Sequence, residues 1–298
     1  MRLVTRGDLD GLTCAVLITS CEDVSEVVLV HPQDVTSRRV AVTSDDILAN
    51  LPYLPGCGKW FDHYLLTQSA KRPPERFEGR YGLAPSAARV VYEHYLGGHP
   101  GIQKYERLLA ETDRLDSAHL NIDDVLEPRD YILLGYTLDP RTGLGAFEDY
   151  FRQLVGWLKS LSIDDLMARP EVRERVARIR EQDQRFRDAT LARSRLDGNV
   201  VLTDFRREDP VPVGNRFLVY TLFPQANVSV RVHGGPDRTD VAVTVGHSIF
   251  NRTCRTNIGL LMSGYGGGGH RGAGTCLIPE AGAEAVIAEI VAALKKDG

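Results

Sequence analysis

Apolar positions in the first third of the chain alternate between short continuous runs and longer helical stretches. Arg2–Thr5 and Glu26–His31 are typical of buried strands, and Leu12–Cys21 between them is typical of an apolar helix. Strands that alternate with helices indicate an α/β fold with a parallel sheet. The same pattern predicts further strands at Arg39–Thr43 and Lys59–Asp62, and further helices at 84–96 and 102–112.

Helical periodicity replaces this alternation in the middle of the chain. Apolar residues there recur at helical spacing, while arginines and acids fill the other positions, as in a solvated helix with one apolar stripe. The spaced apolar residues include Val172, Val176, Ile179 and Phe186. We interpret 146–198 as a helical connector that ends at the turn signal Asp197-Gly-Asn.

Strand patterns return after residue 199. The predicted strands are Val200–Leu202, Phe217–Leu222, Val228–Val232 and Val241–Val245, and a final helix is predicted at 281–296. The expected fold class is therefore α/β, with two domains and a link. A parallel-sheet domain is predicted at 1–145, the helical connector at 146–198, and a smaller mixed-sheet α+β domain at 199–298.

Composition narrows the function classes. Hydrophobic residues make up 43% and charged residues 26% of the 298 positions, which is typical of a globular protein. The net charge of −4 argues against nonspecific duplex coating but leaves room for a local basic groove. The apolar runs are too short to span a bilayer, and the five scattered cysteines fit reduced thiols. We expect a cytoplasmic protein with no membrane partner.

Carboxylates follow the first predicted strand, in Gly7-Asp8-Leu-Asp10-Gly11. Open parallel sheets place their ligands at the edge where strands end, and two carboxylates this close together can reach one hard cation. Ordinary capping of the following helix explains the same residues, and for this cluster alone it is the preferred explanation.

Asp62 and His63 end another predicted strand, and Asp113 and Asp116 follow a predicted helix. An oxygen and an imidazole ligand together suit manganese, iron or zinc. Taken singly, however, an Asp-His pair is usually a structural hydrogen bond, and Asp116 could simply cap the next turn.

Glycines crowd the segment Gly264-Tyr-Gly-Gly-Gly-Gly-His270-Arg-Gly-Ala-Gly274. Such a loop can bring backbone N–H groups close to an anion, and His270 and Arg271 add donors for phosphate oxygens. The alternative is a tight turn between a helix and a strand, with His270 hydrogen-bonded locally. The candidate phosphate-binding residues are Gly267, Gly268, Gly269, His270 and Arg271, with Asn251, Arg252 and Arg255 upstream, which could equally be surface residues.

These clusters, in this order, resemble the DHH phosphoesterase superfamily. Asp8-Leu-Asp10-Gly is similar to its first motif, Asp62-His63 to its name-giving motif, and the segment from Gly267 to its glycine-rich C-terminal signature. The family includes oligoribonucleases, exonucleases, exopolyphosphatases, pyrophosphatases and cyclic dinucleotide phosphodiesterases. The resemblance implies a two-manganese site in the first domain and a substrate-holding second domain across a cleft. With the departures described below, the expectation is one or two Mn²⁺ per chain.

The resemblance also implies residue roles. Catalysis would rest on Asp8, Asp10, Asp62 and His63. The metal ligands would be Asp8, Asp10 and His63, with Asp116 or Asp113 as a further ligand; Asp116-Ser-Ala is the more similar to the family's motif.

The chain departs from the family pattern in three places. Val4 stands where the first motif has a histidine, and Tyr64 replaces the second histidine of the name-giving motif. The second-motif aspartate could be Asp34, Asp45 or Asp46, or its place could be held by Asn50, in which case a bridging carboxylate is lost.

The predicted function is metal-dependent hydrolysis of phosphodiester or phosphoanhydride bonds. The expected substrates are short single-stranded oligonucleotides, nucleotides or polyphosphate, and a homodimer is possible within this reading. The rival hypothesis is a regulatory protein of the same fold that binds a nucleotide or phosphate and has lost catalysis. A second rival is a one-metal enzyme with altered chemistry.

Overall fold

A computed structural model describes residues 1–31, 34–35, 39–64, 73–138, 147–235 and 239–296. The chain forms two compact units, one of 1–119 with 128–178 and one of 120–127 with 179–298. The division falls inside a long helix, Pro170–Arg193, within the segment proposed as a connector. The proposed domain boundary at 145/146 lies outside the described residues, and the three proposed segments stay predictions.

The first unit is built on a five-stranded sheet. Its strands are β1 (Arg2–Thr5), β2 (Glu26–Leu29), β3 (Asp46–Ala49), β4 (Lys59–Tyr64) and β5 (Glu78–Leu83). The order across the sheet is β2-β1-β3-β4-β5, and every neighbouring pair is parallel. The predicted parallel sheet is therefore confirmed, and the carboxyl ends of all five strands point the same way.

Helices cover one face of this sheet. They are α1 (Leu9–Cys21), α2 (Ala87–Tyr95), a 3₁₀ helix (Pro100–Tyr105), α3 (Glu106–Asp116), α5 (Asp130–Tyr136), α6 (Phe147–Ser160), α7 (Ile163–Met167) and α8 (Pro170–Arg193), with α4 (Ile122–Leu126) belonging to the second unit. Helix α1 is apolar almost all round and is buried from Leu9 to Ile18, because it lies between the sheet and the other helices.

Two strand predictions in the first unit were wrong. The segment Arg39–Thr43 is not a strand; its neighbour β3 takes the place beside β1, and Asp46 at the start of β3 accepts hydrogen bonds from Thr43 and Arg2. Strand β2 is an edge strand, exposed or half-buried, and not the buried strand that its apolar run predicts. Strand β5 escaped the pattern because an edge strand with two glycines and two charges lacks an apolar run.

The second unit holds a six-stranded sheet. Its strands are β6 (Ser194–Asp197), β7 (Val200–Asp204), β8 (Val228–Gly234), β9 (Asp240–His247), β10 (Gly268–His270) and β11 (Ala273–Pro279), and its remaining helices are α9 (Leu218–Leu222), α10 (Ile258–Ser263) and α11 (Ala283–Lys296). The order is β10-β11-β9-β8-β7-β6, with β7 and β8 parallel and all other pairs antiparallel. The mixed sheet confirms the predicted class of the C-terminal half.

Local signals explain two further differences. The predicted strand Phe217–Leu222 is the short helix α9, since an apolar run of this length does not distinguish helix from strand, and Asn215 Oδ1 accepts from Phe217 N at 3.0 Å to start the turn. Asp197-Gly-Asn does not simply end the long helix. It joins β6 to β7 through a two-residue turn whose Gly198 has φ +64°.

None of the helices in the described part of the chain combines the length and the hydropathy needed to cross a membrane.

Candidate active site

Polar side chains gather where three neighbouring strands of the first sheet end. Asp8 follows β1, Asn50 follows β3, and Asp62 and His63 lie near the carboxyl end of β4. Because these strands are adjacent and parallel, their carboxyl ends form one edge. Asp10, in the first turn of α1, and Asp116, the last residue of α3, complete the set.

Asp10 is a buried carboxylate held by the start of α2. Its Oδ2 accepts from Ala87 N at 2.9 Å and its Oδ1 from Ala88 N at 2.7 Å, and its side chain is only 2% exposed. The free N–H groups at a helix N-terminus favour a negative charge, and each oxygen keeps a second lone pair. Burial, and then the charge of Asp116, raise the pKa of Asp10 well above its usual value. A cation at this position would relieve that penalty.

His63 and Asp116 lie beside Asp10. His63 Nε2 is 3.1 Å from Asp116 Oδ2, and one ligand atom from each of the three residues lies within 4.8 Å of the others. Burial lowers the pKa of His63, but the hydrogen bond to Asp116 and the charges of the nearby carboxylates outweigh it and raise that pKa to about 9. The raised pKa favours the protonated imidazole at neutral pH, in which Nε2–H donates to Asp116.

The donor set fits a divalent cation. Two carboxylates and an imidazole are the mixture that manganese, iron or zinc accepts. His63 Nδ1 is buried and has no hydrogen-bond partner among the described residues; Asp62 Oδ1 is 3.9 Å away. An imidazole with one nitrogen on an acid and the other unpaired is poorly satisfied as a purely structural group. The group Asp10, His63 and Asp116 is thus a candidate metal centre.

Asp8 lies in a separate hydrogen-bonded cluster and not in this group. It caps α1, where its Oδ1 accepts from Gly11 N at 2.9 Å and from Asn50 Nδ2 at 2.9 Å. Its Oδ2 forms an ion pair with Arg6 Nε at 2.9 Å. Burial is the largest influence on the pKa of Asp8 and raises it, and Arg6 opposes that shift. Its predicted role as a metal ligand stays a prediction.

Asp113 and Asp116 differ in their surroundings. Asp113 accepts from Ser86 Oγ at 2.6 Å and forms an ion pair with Arg89, so it faces the capping residue of α2. Asp116 faces His63. Asp116 is therefore the member of the pair that lies in the candidate metal group, whereas Asp113 contacts Ser86 and Arg89, which flank the amides that hold Asp10. The ligand roles of both stay predictions.

The four candidates for the second motif lie in different places. Asn50 follows β3 at the site edge, is buried, and donates to Asp8. Asp45 and Asp46 lie at the opposite, amino end of β3, where Asp46 pairs with Arg2 at 2.7 Å; Asp34 pairs with Arg39 at 3.3 Å. Which of them represents the second motif stays a prediction.

The other two departures from the family pattern, Val4 and Tyr64, lie in different surroundings. Val4 is buried in an apolar cluster with Leu48, Leu51 and Trp60. Tyr64 is half-buried at the end of β4, with its ring centroid 5.5 Å from that of Tyr81.

The glycine-rich segment is a β-hairpin, not an open loop. Strands β10 and β11 pair through Gly268–Thr275, Gly269–Gly274 and His270–Ala273. Two of the amides expected to face an anion are used by the end of α10: Gly266 N donates to Ser263 O at 3.2 Å, and Gly267 N to Met262 O at 3.0 Å. Close packing explains two glycines, since a Cβ on Gly267 would lie 2.2 Å from Thr275 O and one on Gly269 2.2 Å from Ala273 O.

The tip of this hairpin carries basic side chains. His270 Nδ1 accepts from Gly272 N at 3.1 Å, which leaves Nε2 as the N–H donor. Partial burial, then Arg216 and His247, lower the pKa of His270, so its ring is neutral at pH 7. Arg271 Nη2 donates to Arg255 O at 3.4 Å.

The upstream candidates lie in the turn that follows β9. Asn251 Nδ2 donates to Gln225 O at 3.3 Å, and Arg252 Nε donates to Ile249 O at 2.9 Å. Both side chains are therefore held by backbone carbonyls of the second unit. The substrate-binding roles of these residues and of the hairpin stay predictions.

The glycine packing yields a stability prediction. Gly269→Ala should destabilise the second unit by about 1–3 kcal/mol, because its φ of +153° and the Ala273 carbonyl both exclude a Cβ. Gly268→Ala is the matched control, since a Cβ there meets nothing within 4 Å, and it should change stability by less than about 0.5 kcal/mol. Urea unfolding measures both; equal midpoints for the two variants would contradict the packing role.

Sequence reasoning overlooked several residues of these clusters. Arg6, Ser86 and Arg89 carried no motif, because their role depends on contacts across the fold. His247 lies near Gly272 and donates from Nε2 to Thr256 O at 2.9 Å. It was overlooked because it carries no motif and simply ends the apolar strand β9.

Comparison with known proteins identifies the family. No family model and no curated protein matches the chain. Among solved structures, the pGpG-specific phosphodiesterase PggH from Vibrio cholerae is 38% identical, with a TM-score of 0.84 over 100% of this chain and 99% of that one. A RecJ from Thermus thermophilus in complex with Mn²⁺ is 13% identical, with a TM-score of 0.58 over 99% of this chain and 52% of that one.

A third structure shares the fold over most of its length. The DHH domain of a member of the s1p family of ribosomal proteins is 13% identical, with a TM-score of 0.61 over 99% of this chain and 86% of that one. The last two matches show the fold alone, whereas the first extends over both chains at an identity that marks common descent. The motifs, the two-unit fold and this relative agree: the chain belongs to the DHH phosphoesterase superfamily and is a hydrolase of that family.

Proposed function

We propose that this chain is a metal-dependent phosphodiesterase that hydrolyses a short linear oligonucleotide, with the dinucleotide pGpG as the first candidate. The observation that carries the proposal is the 38% identity to a pGpG-specific phosphodiesterase over 99% of that protein. The acid–imidazole group at the end of β1, β3 and β4 supports it, since that is where this fold would hold a catalytic cation.

Asp10, His63 and Asp116 would hold the cation, with Mn²⁺ as the first candidate. When bound, a divalent cation lowers the pKa of water and neutralises charge on a phosphoryl oxygen. The amides of Ala87 and Ala88 fix the Asp10 carboxylate, and Asp113 fixes the helix start that carries them. Asp62 lies next to the buried Nδ1 of His63, where it can orient the imidazole.

The second unit would hold the substrate phosphate. Arg271 carries a planar fork of donors that suits a pair of phosphate oxygens, and His270 offers Nε2–H. Arg252 and Arg255 add positive charge near the hairpin, and Asn251 adds an amide. In this proposal Gly267 and Gly269 act by keeping the hairpin backbone close to α10 and β11, which sets the position of its tip, and Gly268 between them leaves open space beside the backbone for a phosphate.

A hydrolysis assay tests the proposal. With Mn²⁺, purified protein should convert pGpG to GMP, and the panel should include a longer oligoribonucleotide, a cyclic dinucleotide and polyphosphate. His270→Ala should raise KM for pGpG at least about tenfold while metal content stays that of the wild type, since one lost donor to a charged group costs about 1.5–3 kcal/mol. Tight binding of pGpG without turnover of any substrate would instead support the regulatory alternative.

A further inference from the structure

We propose that the site holds one divalent cation, at Asp10, His63 and Asp116, and that the Arg6 guanidinium, fixed on Asp8, supplies the second positive charge at the substrate phosphate. This inference rests on the proposed function. It assigns Arg6, which no motif marks, as a catalytic residue, and it makes the centre a pairing of a metal with an arginine.

The first step is that Asp8 is already paired with a positive charge. Its Oδ1 accepts from Gly11 N and from Asn50 Nδ2, both at 2.9 Å, and its Oδ2 is 2.9 Å from Arg6 Nε. A cation on Oδ2 would lie beside the Arg6 guanidinium, and a cation on Oδ1 would have to turn the Asn50 amide away. Neither conflict arises at Asp10, whose partners at the start of α2 are neutral backbone amides.

The second step is that two positions beside Asp8 that would usually supply ligands are changed. Val4 is an apolar residue 1% exposed, so the histidine position of the first motif cannot ligate. Asn50 directs its Nδ2 donor at Asp8 and brings a neutral amide where a bridging carboxylate would carry charge. Both changes weaken the binding of a hard divalent cation on the Asp8 side of the site.

The third step is charge balance. Arg6 neutralises Asp8, and within the group Asp10, His63 and Asp116 the two carboxylates match one double positive charge. A second dication beside Arg6 would add like charge to a partly buried site, which is unfavourable at short distance. Arg6 thus supplies the positive charge that a second dication would bring, and its own charge opposes the binding of that dication.

The fourth step is that Arg6 is positioned for a ligand. Its side chain is 48% exposed, and the ion pair with Asp8 uses Nε, which leaves the two terminal nitrogens to face a phosphate. The backbone at Arg6 is fixed because the first turn of α1 lies against it: a Cβ on Gly11 would be 1.9 Å from Arg6 O. A guanidinium held this way stabilises developing negative charge without reorganising.

Metal counting tests the first half of the inference. Wild-type protein loaded with Mn²⁺ and freed of excess should contain one equivalent by elemental analysis, and its electron paramagnetic resonance should be that of an isolated ion. Asp8→Asn should keep that equivalent, because asparagine still caps α1 and Asp8 is not a ligand. Two equivalents in the wild type, an exchange-coupled spectrum, or loss of metal from Asp8→Asn would each overturn it.

Kinetics test the second half. Arg6→Ala should lower kcat on pGpG about 100-fold with metal content unchanged, and Arg6→Lys should recover part of the loss. Arg80→Ala is the matched control, since Arg80 is also a 48% exposed, ion-paired arginine of the same sheet and should leave kcat unchanged. Equal kcat for Arg6→Ala and wild type would refute the role of Arg6.

The two failures are distinguishable. If wild-type protein hydrolyses none of the substrates, the proposed function fails, while the metal count of wild type and Asp8→Asn still decides how many cations the site holds. If wild type hydrolyses pGpG with two bound cations, the function stands and this inference falls.

Discussion

Replacing Asp10 with asparagine is expected to abolish metal binding and to lower turnover of pGpG more than about 1,000-fold, since the bound cation supplies several kcal/mol of transition-state stabilisation. Asp10 is the most buried member of the candidate centre, and its two oxygens are aimed by the amides of Ala87 and Ala88. An amide group in that place loses the charge and turns one acceptor into a donor. Thermal unfolding with and without Mn²⁺ provides the measurement.

Wild-type protein should gain about 2.7 kcal/mol when Mn²⁺ is present at about 100 times its Kd, and Asp10→Asn should gain nothing. Asp46→Asn is the matched control, because Asp46 is also 2% exposed but lies at the opposite end of β3 and pairs with Arg2. It should lose about 1–2 kcal/mol of baseline stability and keep the full metal response. A metal response in Asp10→Asn equal to that of wild type would show that the cation binds elsewhere.

Metal affinity is expected to rise about tenfold per pH unit on going from pH 6 to pH 8, or about 100-fold across that range. The metal-free imidazole of His63 has a pKa of about 9, so it carries a proton throughout this interval, and a cation must expel that proton to bind the nitrogen. The rise should level off above pH 9. Titration calorimetry in two buffers of different ionisation enthalpy measures the released proton directly.

The raised pKa of His63 has the opposite effect on the stability of the metal-free protein, which should fall as pH rises. Because the folded-state pKa of His63 is above its usual 6.5, its contribution to folding is complete below pH 6.5 and is lost as pH rises towards 9. Asp62→Asn provides the control, since it removes one of the charges that raise this pKa and keeps the ligand nitrogen. The metal affinity of Asp62→Asn should therefore level off at a lower pH than that of the wild type. An unchanged dependence of metal affinity on pH would assign the released proton to another group.

Much of the first unit could be predicted from the sequence because its order comes from apolar runs. The buried strand β4 and the apolar helix α1 must bury continuous apolar surface, and that requirement shows as apolar runs along the chain. Strand β3 was not predicted: a strand was expected at Arg39–Thr43 instead, because the choice between adjacent apolar runs depends on partners such as the Arg2–Asp46 ion pair, which joins residues far apart in sequence.

The same distinction, between local sequence signals and contacts made across the fold, holds for the candidate site. Asp10, His63 and Asp116 could be named from motifs, because ligand chemistry restricts residue type at each position. The partners that decide what the ligands do were not visible. Arg6 and Asn50 both contact the Asp8 carboxylate, and nothing in their neighbourhood in the sequence marks that contact.

The glycine segment shows a different limit. A run of glycines predicts close approach of backbone, and the structure bears that out, but the approaching groups are Thr275 O and Ala273 O of the same hairpin. Composition therefore identified the geometry and not the partner.

The hydrogen bonds from the start of α2 to Asp10 restrict which substitutions the first residues of that helix can accept. Helices generally welcome proline at their first position, because the N–H it lacks has no partner within the helix. Here the N–H groups of Ala87 and Ala88, the first two residues of α2, are the hydrogen bonds of a buried carboxylate. Their side chains are small and replaceable, yet proline is barred from both. The orientation of a buried carboxylate thus restricts two positions through their backbone amides, whatever side chains they carry.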